Sequence, residues 1–361
     1  MSTKLTIPLG SQHIALLEPV RFLFTTDNEV ITDVEVDAGY VHRGIEKACA
    51  EKFKFKQVGY VVARVCGLCA ITHSTAYTLA IEKAMQIAIT PRAAWLRILT
   101  LELDRIHSHL LCLAHTAENS GFEALFMQTM NDRELVMQAQ DWLTGNRVQF
   151  DYVSIGGVNR DLTPEAAAHI STLLDQLQKR LEAIEEAFTT NPLLSLRYKG
   201  IGAITKQKAL EYGVVGPMAK AAGIATDVRA ETDALPYKEV GFSIITAEGG
   251  DIDARNRVRL SEVRQSLTIS RHILEGLPEG EISVKVKGNP EGEAVARIEA
   301  PRGELFYYIK GNKKPILERM RIRTPTFAQI PAMVEIFKGS NYADTPAILA
   351  SFDPCLSCTA R

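Results

Sequence analysis

The stretch from Thr90 to Glu118, TPRAAWLRILTLELDRIHSHLLCLAHTAE, holds no glycine and no proline beyond Pro91. Threonine followed by proline is a helix start: the hydroxyl caps free amides, and proline is tolerated at the first helical position. Continued to Glu118, the helix would run ~40 Å at about 1.5 Å per residue. Thr163-Pro164 repeats the signal for a helix reaching about Phe188, where Ile170, Leu173, Leu174, Leu177, Leu181 and Ile184 recur at helical spacing. Asp253 to Leu277 reads as a third long helix with Val258, Leu260, Val263, Leu267 and Ile273 as its core stripe. A further helix is expected from Ser74 to about Ile89.

Strand signals sit at the two ends. Val20 to Thr25 and the alternating run Val30 to Asp37, joined across Thr26-Asp27-Asn28-Glu29, predict a β-hairpin. Between about Glu281 and Lys310, Val284, Val286, Val295 and Ile298 suggest short strands. The expected fold is mainly α with small peripheral β-sheets (α+β), a long-helix bundle around one core. Neither an internal repeat nor a linker divides it. One domain over 1–361 is expected, with a hairpin region at 1–45, a helical core at 46–280, and short strands with a C-terminal segment at 281–361.

Composition narrows the function. A hydrophobic content of 46% and a charged content of 23% are those of a soluble globular chain. The formal net charge of -2 lacks the basic footprint of a nucleic-acid binder, so no nucleic-acid partner is expected. No apolar run approaches the roughly 20 residues of a membrane helix. The start, Met1-Ser2-Thr3-Lys4-Leu5, has no apolar leader segment. A cytoplasmic protein is expected, held at a membrane only through partners.

Two Cys-X-X-Cys pairs lie at opposite ends: Cys66-Gly67-Leu68-Cys69 and Cys355-Leu356-Ser357-Cys358. Loop-closure entropy grows only logarithmically with separation, so a fold can bring them together. Four thiolates suit a soft metal or metal cluster. They equally make a structural zinc site, although zinc ribbons usually place their second pair about 15–20 residues after the first. A non-catalytic module with a four-cysteine zinc site therefore stands as the alternative reading. The two remaining cysteines, Cys49 and Cys112, are isolated.

The flanks resemble a known family. Arg64-Val65-Cys66-Gly67-Leu68-Cys69 with His73, and Asp353-Pro354-Cys355-Leu356-Ser357-Cys358, are similar to the two signatures of the large subunit of nickel–iron hydrogenases. Further blocks resemble the energy-converting (group 4) class, of the Ech and CO-induced type. They are His42-Arg43-Gly44-Ile45-Glu46-Lys47, Arg105-Ile106-His107-Ser108-His109-Leu110, Thr144-Gly145-Asn146-Arg147, Ile155-Gly156-Gly157-Val158 and Gly216-Pro217-Met218-Ala219-Lys220-Ala221-Ala222-Gly223. The same blocks resemble, more distantly, the quinone-site subunit of respiratory complex I, a relative without the four cysteines.

The resemblance implies reversible H2 turnover at a nickel–iron centre whose iron carries CO and cyanide. Cys66 and Cys355 would bind nickel terminally, and Cys69 and Cys358 would bridge nickel to iron. His73 would hydrogen-bond a bridging thiolate; read from the residues alone it caps the following helix, and the two roles are compatible. Arg302 of Pro301-Arg302-Gly303 would hang over the open metal site, with the Asp353 carboxylate facing the same pocket. Glu18 would pass protons from Cys355, and Glu46 is a candidate magnesium ligand. Many family members hold that magnesium with a C-terminal histidine; here the position is Arg361, which has no lone pair to offer.

With four cysteines committed, Cys49 and Cys112 are too few for an ordinary four-cysteine iron–sulfur cluster, and none is expected in this chain. Electrons would leave through a small subunit carrying a 4Fe-4S cluster and through ferredoxin-type subunits. Integral-membrane subunits would pump ions, with this chain peripheral on the cytoplasmic face of the cell membrane.

Overall fold

In the computed structural model, which describes residues 4–361, helices begin where the sequence caps them. Thr90 Oγ1 accepts from the Ala93 amide at 3.2 Å, Thr163 Oγ1 from the Ala166 amide at 3.2 Å, and Asp251 Oδ1 from the Ala254 amide at 2.8 Å. Each bond satisfies one of the free donors that every helix start leaves.

An antiparallel sheet comes first, β1 (Lys4–Leu9), β2 (Arg21–Asp27) and β3 (Val30–Asp37), in spatial order β1-β2-β3. Helices α1 (Ile45–Glu51) and α2 (Phe55–Ala63) lead to α3 (Ala70–Met85), α4 (Pro91–Glu118) and α5 (Glu123–Thr144). A small ribbon, β4 (Val153–Ser154) with β5 (Gly157–Val158), precedes α6 (Pro164–Thr190). Short helices α7 (Pro192–Tyr198), α8 (Lys206–Glu211), α9 (Gly216–Ala221) and α10 (Val228–Glu231) connect to α11 (Ile252–Gly276). The chain closes with β6 (Glu291–Ala300), β7 (Gly303–Asn312), β8 (Arg319–Arg323), α12 (Pro325–Phe337), α13 (Thr345–Phe352) and α14 (Leu356–Thr359).

The fold is mainly α with small antiparallel sheets, and α4 is its axis. It packs against α5, α11 and α13, and is buried on nearly every side. A helix buried all round must pair the charges it carries. Arg97 of α4 does so with Glu82 of α3 through two bonds of 2.9 and 2.7 Å. The α11 stripe of Val258, Leu260, Val263, Leu267 and Ile273 is wholly buried; on α6 only Leu173 of the expected set is partly exposed.

Several expectations need correction. Val284 and Val286 lie outside any strand: the segment leans on the β4–β5 ribbon, the Val284 amide bonding Gly156 O at 2.9 Å, and forms one isolated bridge. The longer strands, β6 and β7, are ten residues each, and β6 carries both Val295 and Ile298. Strand β1 and helix α5 were not anticipated; Asp132, Arg133 and Gln140, all buried on α5, blur its apolar period. Helix α3 starts at Ala70 rather than Ser74, which puts His73 inside its first turn instead of at its cap.

One turn matters for the site. Ala300 pairs with Gly303, leaving Pro301 and Arg302 at the tip of the β6–β7 hairpin. The tip presses on the start of α9, where a Cβ on Gly216 would lie 2.4 Å from Arg302 O. Gly216 (φ +62) and Gly303 (φ +121) both adopt backbone conformations that favour glycine. Arg302 is thereby held from both sides.

Candidate metal centre

The two cysteine pairs meet. Cys69 is the residue that opens α3, Cys355 the one that opens α14, and Cys358 lies within α14. Cys355 Sγ is 3.3 Å from Cys66 Sγ, and Cys69 Sγ is 3.9 Å from Cys358 Sγ. The sulfurs of Cys66, Cys69 and Cys358 all lie within 4.8 Å of one another. Four sulfurs at about 2.3 Å from one metal would be separated by about 3.8 Å in a tetrahedron, so Cys66, Cys69 and Cys358 have the dimensions of one coordination sphere, with Cys355 in contact with Cys66. All four cysteines are buried and free of disulfides.

Arg43 is what joins the two ends. Its guanidinium donates to Arg64 O (2.6 Å) and Val65 O (2.9 Å), just before Cys66, and to Ser357 O (3.0 Å), between Cys355 and Cys358. Three bonds from one planar donor set the relative position of both loops. Thr326 Oγ1 accepts from the Cys355 amide at 3.1 Å, and Thr324 Oγ1 donates to Cys358 O at 3.1 Å.

The thiols polarise one another. Hydrogen bonds from Cys355, Cys358 and Cys69 push Cys66 well below the ordinary thiol range, with the Arg302 charge adding to the effect. Cys358 is pushed well up by its bonds to Cys355, Cys66 and Cys69. The pocket thus favours a thiolate at Cys66 even before a metal binds.

Around the sulfurs stand the expected side chains. His73 Nε2 is 3.4 Å from Cys358 Sγ, and its Nδ1 is 2.7 Å from the Tyr307 hydroxyl, which fixes the ring. Burial holds His73 down to about 4, hence neutral. Arg302 donates to Asp353 twice, from Nη2 to Oδ1 at 2.6 Å and from Nε to the carbonyl at 2.8 Å, and to Ser108 Oγ at 3.3 Å. Burial opposes the Arg302 charge, yet Asp353 and the cysteines hold it well above the ordinary guanidinium value. Asp353 is raised by burial; its Oδ2 is buried with no partner among the described residues. The Glu18 carboxylate accepts from the amides of Leu356 and, at 2.9 Å, Ser357, which sets it beside Cys355.

Glu46 has a different environment from the one expected. Its Oε1 accepts from the Ile322 amide at 2.8 Å and from Arg361 Nε at 3.0 Å, and its Oε2 from Arg321 at 2.7 Å. Arg361 also donates to Cys358 O (3.2 Å) and Thr359 O (3.1 Å). Although burial acts to raise it, the Ile322 amide and the two arginines leave Glu46 below its usual range. A magnesium ion needs a shell of oxygen donors. Here a guanidinium occupies the carboxylate and the carbonyls, so these residues do not fit magnesium.

Sequence reasoning missed Tyr307, Arg43, Thr324 and Thr326. Arg43 stood in a family block without a role. Tyr307 carries only the alternation of β7, which points it to the buried face.

With the geometry in place, the likeness to known proteins is specific. The family described as respiratory-chain NADH dehydrogenase, 49 Kd subunit, matches residues 119–289 and 285–361, and the one described as nickel-dependent hydrogenase matches residues 43–117. The carbon monoxide-induced hydrogenase of Rhodospirillum rubrum is 37% identical over 99% of this chain and 99% of its own length. The membrane-bound hydrogenase subunit alpha of Pyrococcus furiosus is 34% identical over 98% of this chain and 87% of its own. One subunit of the F(420)H(2) dehydrogenase of Methanosarcina mazei is 34% identical over 99% of this chain and 97% of its own. The chain belongs to the family that unites the large subunits of energy-converting nickel–iron hydrogenases with the 49 kDa subunit of respiratory NADH dehydrogenase.

Proposed function

We propose that this chain is the catalytic subunit of an energy-converting nickel–iron hydrogenase, catalysing H2 ⇌ 2H+ + 2e-. The observation that carries the reading is the meeting of the two pairs in one buried pocket, with Cys66, Cys69 and Cys358 at coordination-sphere spacing and Cys355 against Cys66. Soft sulfur donors match nickel and a thiolate-bridged iron. When bound, a nickel–iron centre with CO and cyanide on iron would supply the two-electron chemistry of H2. Cys66, Cys69, Cys355 and Cys358 would hold the centre.

The protein groups have separate tasks. Glu18, fixed by two amides beside Cys355, accepts and releases the proton at its carboxylate. Arg302 keeps a permanent positive charge over the pocket, and Asp353 orients it. His73, its ring set by Tyr307, supports the Cys358 sulfur. Burial of the four cysteines keeps bulk water from the site.

Electrons pass to a small subunit with a 4Fe-4S cluster and on to ferredoxin-type subunits. Among the described residues no helix is long and apolar enough to cross a membrane. Peripheral attachment to integral-membrane, ion-pumping subunits on the cytoplasmic face fits that observation and the printed name of the Pyrococcus relative. Elemental analysis of the purified complex tests the reading: nickel and iron bound to this chain are expected, and zinc alone would replace it by the structural-zinc module.

A further inference from the structure

A second polar centre is buried among α4, α9, α10, α11 and β6. Lys220 Nζ lies 2.5 Å from Asp227, 2.6 Å from Glu262 and 3.3 Å from Glu299. Arg229 reaches Asp227 at 2.8 Å and Glu102 at 3.3 Å, and Arg105 reaches Glu102 at 3.3 Å. All seven side chains are at most 4% exposed. Four carboxylates therefore face three cations, and the fully ionised cluster carries one uncompensated negative charge. Such a charge is expensive in a protein interior.

The neighbours do not supply the balance. His109, with Nε2 2.7 Å from Glu262, is held neutral by burial, down to about 4. Tyr237, hydrogen-bonded to Glu102 at 2.8 Å, is pushed well up by burial and stays neutral. Arg259 of α11, buried with Nε and Nη1 unpartnered among the described residues, acts on both Asp353 and His109, whereas the charges that act on Glu299 are those of Asp227, Lys220, Arg229 and Arg105. A proton is the balancing cation that remains.

Glu299 is the carboxylate placed to take it. It has the longest contact to Lys220 of the three acids, and its other oxygen accepts only the Val228 amide, at 3.1 Å. It also has access to solvent. A cavity of about 270 Å³ is lined by exposed Glu231 and Arg297, by Glu304, and by buried Asp227 and Glu299.

We propose that Glu299 is a proton-binding site, filled from solvent through this cavity, whose proton neutralises the Lys220 cluster. Burial and the adjacent Asp227 raise Glu299 to about 7, against the pull of Lys220, Arg229 and Arg105. The site is tied to the cysteine pocket: Arg105 bonds Glu299 O (2.8 Å) and Ala300 O (3.4 Å), and two residues later the hairpin tip carries Arg302. A proton held here changes the charge behind Arg302 by a route separate from Glu18.

Infrared difference spectra of the assembled complex, taken while pH is stepped across neutrality, test this. A buried carboxylic C=O band should titrate with a midpoint of about 7, vanish in Glu299→Gln, and persist in Glu231→Gln at the cavity mouth. Absence of a band titrating near neutrality in the unaltered protein, or its survival in Glu299→Gln, overturns the proposal. If Glu299→Gln fails to fold, Glu299→Asp serves in its place: the band should shift, and an unshifted band overturns the proposal. The readout needs no metal, so its failure is distinguishable from failure of the hydrogenase reading.

Discussion

The cysteine pocket and the Lys220 cluster are both buried polar centres, built in opposite ways. The four sulfurs come from two short segments, each opening a helix, and are clamped by Arg43. The seven charges of the cluster come from five elements along the chain from Glu102 to Glu299. Cys69, Cys355 and Cys358 are pushed up and stay neutral thiols, and only Cys66 is pushed down, so burying the four costs the fold little. The cluster's charges need one another, so, Glu299 apart, its members cannot be removed singly without loss of stability.

The largest effect expected is on the pocket. Cys355→Ser should abolish hydrogen turnover and nickel retention while leaving thermal unfolding of the chain almost unchanged, because serine is a harder and far less acidic ligand. Normal turnover in that variant would break the assignment. Glu18→Gln should collapse both H2–D2 exchange and hydrogen evolution yet keep nickel and iron in place, since glutamine preserves shape but cannot titrate. Persisting exchange would move the proton route elsewhere.

The cluster should respond in stability instead. Glu262→Gln removes a charge that Lys220 and Arg229 need, and denaturant unfolding should show a loss of roughly 3–5 kcal/mol. Glu299→Gln should stay within about 1 kcal/mol at pH below about 7, where the group it replaces carries a proton. Equal losses in the two variants would contradict the division of roles.

The smallest effect lies in the pH dependence. His73 and His109 are held down to about 4, and His107 lies well below its usual value, whereas the unfolded chain takes up protons near 6.5. The unfolded state thus binds more protons in that window. The stability contribution is complete above 6.5 and is lost as pH falls from 6.5 toward 4. Glu299 works in the reverse sense: its contribution is complete below 4.5 and is lost as pH rises to about 7. Asp104 and Asp353, raised by burial, act in the same sense as Glu299, so unfolding midpoints should fall on acidification more steeply in Glu299→Gln than in the unaltered protein. Equal slopes in the two proteins would be inconsistent with a proton held on Glu299.

The same contrast explains what could be read from the chain. The long helices were legible because Thr90-Pro91 and Thr163-Pro164 cap them locally, and the cysteine pocket because each pair is a contiguous motif. Helix α5 was not, since buried Asp132, Arg133 and Gln140 interrupt its apolar stripe. Tyr307 and the Lys220 cluster were illegible for another reason: single residues on separate elements carry no local spacing, and only packing brings them together. Glu46 illustrates the limit of family transfer. It lies beside the C-terminal segment, but Arg361 and Arg321 pair its carboxylate.

The central claim is that four sulfurs from the two ends of the chain share one nickel. X-ray absorption at the nickel edge of the purified complex tests it most directly. Four sulfur neighbours at roughly 2.2–2.5 Å, close to the usual metal–thiolate length of about 2.3 Å, are predicted. A nickel ion ligated by nitrogen and oxygen, or a sample whose sulfur-bound metal is zinc, would contradict it.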